Sequence, residues 1–140
     1  MFLKRTSLLL ALALTLGLAG AASAASAPGH ASLLIRHQMR GCHSWSVNGG
    51  AFKANQSITL RRGGWLSVKD NDVMSHRLVE TSGPTLRIAN ATLNHAGATL
   101  KVTFTKPGVY HFTTKAGEDY TSGVKTIGED NVLRLTVVVT

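Results

Sequence analysis

The sequence predicts an all-β sandwich of about seven or eight strands, and three observations carry that prediction. No stretch sustains the 3.6-residue apolar period of an amphipathic helix. Short runs in which apolar and polar residues alternate recur instead, among them Leu33–Val47, Leu100–Phe104 and Val109–Phe112. Turn formers punctuate those runs: Asn48-Gly49-Gly50, Arg61-Arg62-Gly63-Gly64, Thr81-Ser82-Gly83-Pro84 and Lys106-Pro107-Gly108.

The first 24 residues read as a leader rather than as part of the fold. Lys4 and Arg5 are a basic start, Leu8–Leu18 is an apolar core, and Ala22-Ser23-Ala24 fits the small-x-small cleavage rule. The apolar run is short for a bilayer span, and no later segment is longer. The expectation is an exported protein, periplasmic or secreted, with Ala25–Thr140 as one domain and no transmembrane segment in the mature chain; an uncleaved anchor is the alternative.

Charge limits the partners. Without Lys4 and Arg5 the 15 basic residues fall to 13 against 7 acidic ones, a net charge of +6. The basic residues are scattered and not interleaved with stacking aromatics, which argues against a nucleic-acid module. A basic surface suits acidic partners or membranes. Cys42 is the single cysteine, so no intramolecular disulfide forms despite the oxidising compartment that export implies. Intermolecular pairing, a reactive thiol, a metal thiolate and a small buried hydrophobe all remain open for it.

In chain order, Ala25–Gly29 is a small-residue lead-in. Leu33, Ile35, His37, Met39, Gly41, His43, Trp45 and Val47 then occupy alternate positions, the pattern of one long strand with an apolar face. His37, Met39 and His43 fall with the apolar set, and Cys42 falls on the other face unless Gly41 hosts a bulge. His37, Met39, Cys42 and His43 together are the densest group of soft or borderline metal ligands in the chain. Phe52 reads as a core plug and Ser57–Leu60 as a strand. Trp65–Lys69 is a strand that Asp70, Asn71 and Asp72 break, because Asn and Asp side chains bond nearby backbone. His76 opens the next strand, placed either as a metal ligand or as a solvent-exposed loop histidine. Leu86, Ile88 and Ala89 read as a weak strand, and Asn94-His95-Ala96-Gly97 as a turn with His95 exposed. Val132–Thr140 closes the chain with a β-branched run suited to burial on both faces.

Ala51–Leu60 followed by Gly63–Val79 resembles the opening of a cupredoxin, with Phe52, Gly63, Asn71, Asp72 and His76 at the family's places for plug, glycine turn, corner and histidine. Val73-Met74-Ser75-His76 is similar to the azurin form of the first-histidine loop. Thr103–Phe112, with Pro107-Gly108 before Tyr110-His111-Phe112, resembles the strand that precedes the copper thiolate. The resemblance implies a Greek-key β-sandwich and copper at the His76 end. It departs where the thiolate belongs: Thr114 stands at the cysteine position, Lys115–Asp119 holds no histidine, and Tyr120-Thr121-Ser122-Gly123 replaces Met-x-Gly. A blue site needs one thiolate and two imidazoles, and the usual loop cannot supply them here.

Two readings follow. In one, the metal site is rebuilt without blue-copper character from Cys42, His43 and His76, with Met39, His37 and Glu118 as further candidates. The protein then handles copper or transfers electrons, with an acidic redox or copper-donor protein as partner. On a single long strand, Val47–Phe52 approaches His76 and Cys42 lies ~10 Å or more further back, a gap that a bend must close. In the other reading, the site is lost and the domain is a binding or structural module. Glu118-Asp119 and Glu129-Asp130 are acidic pairs without a nucleophile in a triad context, so no enzyme activity is expected.

Overall fold

The computed structural model describes residues 25–37, 43–72, 74–88, 90–116 and 133–140. The leader, Met39, Gly41 with its expected bulge, Cys42 and Glu118 fall outside these ranges. Nine strands are described: β1 His30–His37, β2 His43–Val47, β3 Asn55–Leu60, β4 Trp65–Asn71, β5 His76–Ser82, β6 Thr92–Leu93, β7 Thr99–Thr103, β8 Gly108–Ala116 and β9 Arg134–Val139. They form two sheets, one ordered β2-β1-β4-β7 and the other β3-β9-β8-β5-β6. Pairs β1/β4 and β3/β9 are parallel, and the remaining pairs are antiparallel. Non-consecutive neighbours in both sheets make the chain cross between layers, the Greek-key arrangement of a sandwich.

Alternation along each strand places one row of side chains between the sheets. Leu33, Ile35, Trp45, Leu66, Val68 and Val102 from one sheet meet Leu60, Leu78, Phe112, Leu135 and Val137 from the other in a single core. Phe104, just beyond β7, packs edge-on against Tyr110 at 5.0 Å and Phe112 at 6.2 Å between ring centroids. Gly83 takes φ 129°, and a Cβ there would sit 2.8 Å from the Val109 carbonyl oxygen, so only glycine lets this turn close against β8.

Several expectations change. Leu33–Val47 is not one strand: β1 and β2 are two antiparallel arms, with His37 opposite His43. Phe52 is half-buried beneath the Arg36 guanidinium, 5.4 Å from its ring centroid, and is not a core plug. Trp45 fills that role, fully buried with Nε1 donating to the Ala54 carbonyl at 2.9 Å. Leu86 and Ile88 lie in irregular chain, and the short strand of that region is Thr92–Leu93. β9 buries Leu135, Val137 and Val139 but leaves Thr136 and Val138 half-buried, so it is covered fully on one face only. The turn at Asn48-Gly49 has positive φ at both residues (49° and 72°) and closes with Gly50 N donating to Val47 O at 2.9 Å. His95 is exposed in its turn.

Candidate metal centre

β4 does not end at Lys69. Its pairing with β1 continues to Asn71, opposite Arg36, which carries Asp70 into the core at 0% exposure. The corner that follows is built by the two aspartates themselves. Asp70 Oδ1 accepts from the Asp72 amide at 2.9 Å, and Asp72 Oδ1 accepts from the Met74 amide at 3.2 Å. Each carboxylate thus bonds the backbone two residues on, the local preference that makes Asp a turn former. Here the preference operates inside the protein, because β4 delivers the corner beneath the sheet surface.

His76 opens β5 and is 1% exposed, which removes the reading of a solvent-exposed loop histidine. Its Nε2 lies 3.2 Å from Asp72 Oδ2, and both side chains are fully enclosed. An ionised Asp72 accepts from Nε2–H, and the neutral ring then carries its lone pair on Nδ1. Carboxylates orient metal-bound imidazoles in this way, fixing the tautomer and the ring plane. In the sequence, Asp72 and Asp70 register only as breakers of a strand. The signal that marks Asp72 further is its position four residues before His76.

The pairing places His37, His43 and His76 at one end of the sandwich. β4 runs parallel to β1, so the corner after Asn71 leaves the sheet at the end where β1 stops at His37. β2 starts there at His43. In the second sheet His76 pairs with Ala116, at the end of β8. His37 and His43, the described residues on either side of Met39 and Cys42 in the sequence, therefore both lie at the His76 end. Ala116, the last described residue before Glu118, lies at the same end. Val47 pairs with Leu33, four rungs from the His37–His43 pair, so the expectation that the Val47–Phe52 stretch approaches His76 fails at Val47.

Thr114, at the position where the resemblance to cupredoxins would put a thiolate, is 6% exposed and pairs with Leu78, two rungs from the His76–Ala116 pair. Its hydroxyl is a hard, neutral oxygen and offers no soft-metal bond. Among the described residues no group of three or more His, Cys, Asp or Glu side chains has metal-binding geometry. Any complete site draws on residues beyond them.

No family model and no curated protein matches the chain. Among solved structures it is similar to a purple cupredoxin from Nitrosopumilus maritimus, at 16% identity over 78% of this chain and 98% of that one, with a TM-score of 0.47. It is also similar to a variant of the McoA multicopper oxidase from Aquifex aeolicus, at 11% identity over 82% of this chain and 29% of that one, with a TM-score of 0.49. A laccase from Pediococcus acidilactici is similar at 13% identity over 79% of this chain and 25% of that one, with a TM-score of 0.46. The chain thus spans less than a third of the length of either oxidase. These likenesses are ones of fold alone.

Proposed function

We propose that this is an exported, copper-binding protein of cupredoxin-like build, whose site lacks blue-copper character and serves copper handling or electron transfer. The observation that carries the reading is the convergence on one end of the sandwich. His37 and His43 face each other across β1 and β2 there, and His76 begins β5 there with Asp72 on its Nε2. His76 is the ligand held by the scaffold. Cys42 and His43 are its proposed partners, with Met39, His37 and Glu118 as the next candidates.

The donor set suits copper. One thiolate with imidazoles, and a thioether nearby, favours Cu(I) or Cu(II) over hard ions. The carboxylate on His76 supports a ligand role, because an orienting carboxylate raises imidazole basicity. The basic surface suits an acidic redox or copper-donor protein, as steering over such a surface raises encounter rates. Export rests on the leader pattern in Met1–Ala24.

The enclosed Asp72–His76 pair also supports a second reading, a structural dyad in a module that binds no metal. Elemental analysis of the purified protein, followed by copper titration of the parent and of Cys42→Ser, His43→Ala and His76→Ala, separates the two. A bound ligand raises the melting temperature with its affinity, and each true ligand variant loses that gain. The copper reading falls if all three variants bind as the parent does, or if the parent binds none.

A further inference from the structure

The outward face of the second sheet carries a cavity that the copper reading does not use. It is about 550 Å³ in volume and is bordered by Thr81, Ser82, His111, Thr113, Arg134 and Thr136, with Phe112 and Leu135 also lining it. His76 lies on the opposite, buried face of the same sheet. A register shift between Glu80 and Ser82 opens the recess: Glu80 pairs with Phe112 and Ser82 with His111, leaving Thr81 as the extra residue of a bulge. Bulges re-aim side chains, and Thr81 Oγ1 turns to donate to the His111 carbonyl at 3.2 Å.

The donors around the recess are of one kind. Arg134 supplies a planar fork of N–H groups, suited to two parallel bonds to a carboxylate. Thr136 Oγ1 lies 3.3 Å from His111 Nδ1; when that hydroxyl donates, the ring proton sits on Nε2 and makes it a second donor. Ser82 and Thr113 add hydroxyls, and among the described residues no Asp or Glu borders the space. The wider field has the same sign. Among the described residues, Arg36, Lys53, Arg77, Arg87, Lys101 and the other lysines and arginines whose side chains are described are all exposed, whereas Asp70 and Asp72 are buried and Glu80 is half-buried. Such a surface concentrates anions. The volume exceeds that of a single ion and falls within the range of small-molecule sites.

We propose that this cavity binds a small organic dicarboxylate, one carboxylate on Arg134 and the other at His111 and the flanking hydroxyls. The site is independent of copper, and succinate is a suitable probe. Succinate is titrated into the purified protein at constant ionic strength, with backbone amide shifts followed by NMR. The proposal predicts saturable shifts centred on His111, Thr113, Arg134 and Thr136. Arg134→Ala and His111→Ala should each weaken binding about tenfold or more, the effect of losing one charge-assisted hydrogen bond. Lys69→Ala, on the other sheet, should leave it unchanged. Shifts that do not saturate, or that spread over the whole basic surface, would overturn the proposal, as would an Arg134→Ala protein that binds like the parent. Inorganic phosphate binding as tightly as succinate at these residues would overturn the dicarboxylate class. A glutamate-rich peptide that binds there while succinate does not would replace the small molecule with a protein partner.

Discussion

Replacing Asp72 by alanine removes three things at once: the carboxylate on His76 Nε2, the acceptor for the Met74 amide, and the filling of an enclosed corner. Breaking a buried ionic or charge-assisted pair from one side costs about 3–5 kcal/mol, because the remaining partner stays desolvated. For a domain of this size each kcal/mol shifts the melting temperature by roughly 4 °C, so Asp72→Ala should melt about 12 °C or more below the parent. Asp72→Asn keeps the shape and the oxygen that accepts from Met74, and should lose about half as much. The decisive assay is a urea double-mutant cycle with His76→Leu. If the two side chains stabilise the fold mainly through each other, Asp72→Ala/His76→Leu should be more stable than the sum of the single losses predicts, by about 1.5 kcal/mol or more. Additive losses, or an Asp72→Ala protein within about 1 kcal/mol of the parent, would refute the coupling on which the corner's role depends.

Other perturbations follow from the packing. Trp45→Ala should cost about 3–5 kcal/mol in urea denaturation, since the ring is fully buried and its Nε1 bond is lost with it. Gly83→Ala should destabilise by about 1–3 kcal/mol, measured by thermal melting, because φ 129° and the Val109 carbonyl leave no room for Cβ. Burial, reinforced by the charge of Glu80, raises the Tyr110 phenol above its ordinary value. The folded state therefore holds that proton more tightly than the unfolded chain, so stability is complete below about pH 10 and declines above it; denaturation between about pH 9 and 11.5 should show the decline. Tyr110→Phe should remove that part of the pH dependence. At neutral pH it should cost about 1 kcal/mol, from the 2.6 Å bond donated to the Lys106 carbonyl.

The sandwich was legible in the sequence because its strands alternate cleanly, and His76 stands where the alternation resumes after the Asp-Asn-Asp corner. The β1–β2 hairpin was not legible. His37 pairs with His43 and Ile35 with Trp45, odd with odd, so the apolar phase passes unbroken through the connection. Period-2 alternation cannot distinguish that arrangement from one long strand. The pairing of His37 with His43 also replaces the single extended strand on which the expected gap between Cys42 and His76 was reckoned. Asp70 and Asp72 read in the sequence as breakers of a strand, and acidic residues are seldom enclosed. Enclosure becomes tolerable only once each carboxylate has a backbone amide and, for Asp72, an imidazole. Phe52 lost the plug position to Trp45 because the edge bridge between Trp45 and Lys53 leaves Phe52 beside Arg36 rather than between the sheets.

X-ray absorption at the copper edge, recorded on the copper-loaded parent, Cys42→Ser and His76→Ala, tests the proposed centre most directly. The account predicts one sulfur and at least two imidazole nitrogens around copper, a sulfur shell that disappears in Cys42→Ser, and imidazole scattering that weakens in His76→Ala. A shell of oxygen and nitrogen alone, unchanged in both variants, would contradict it.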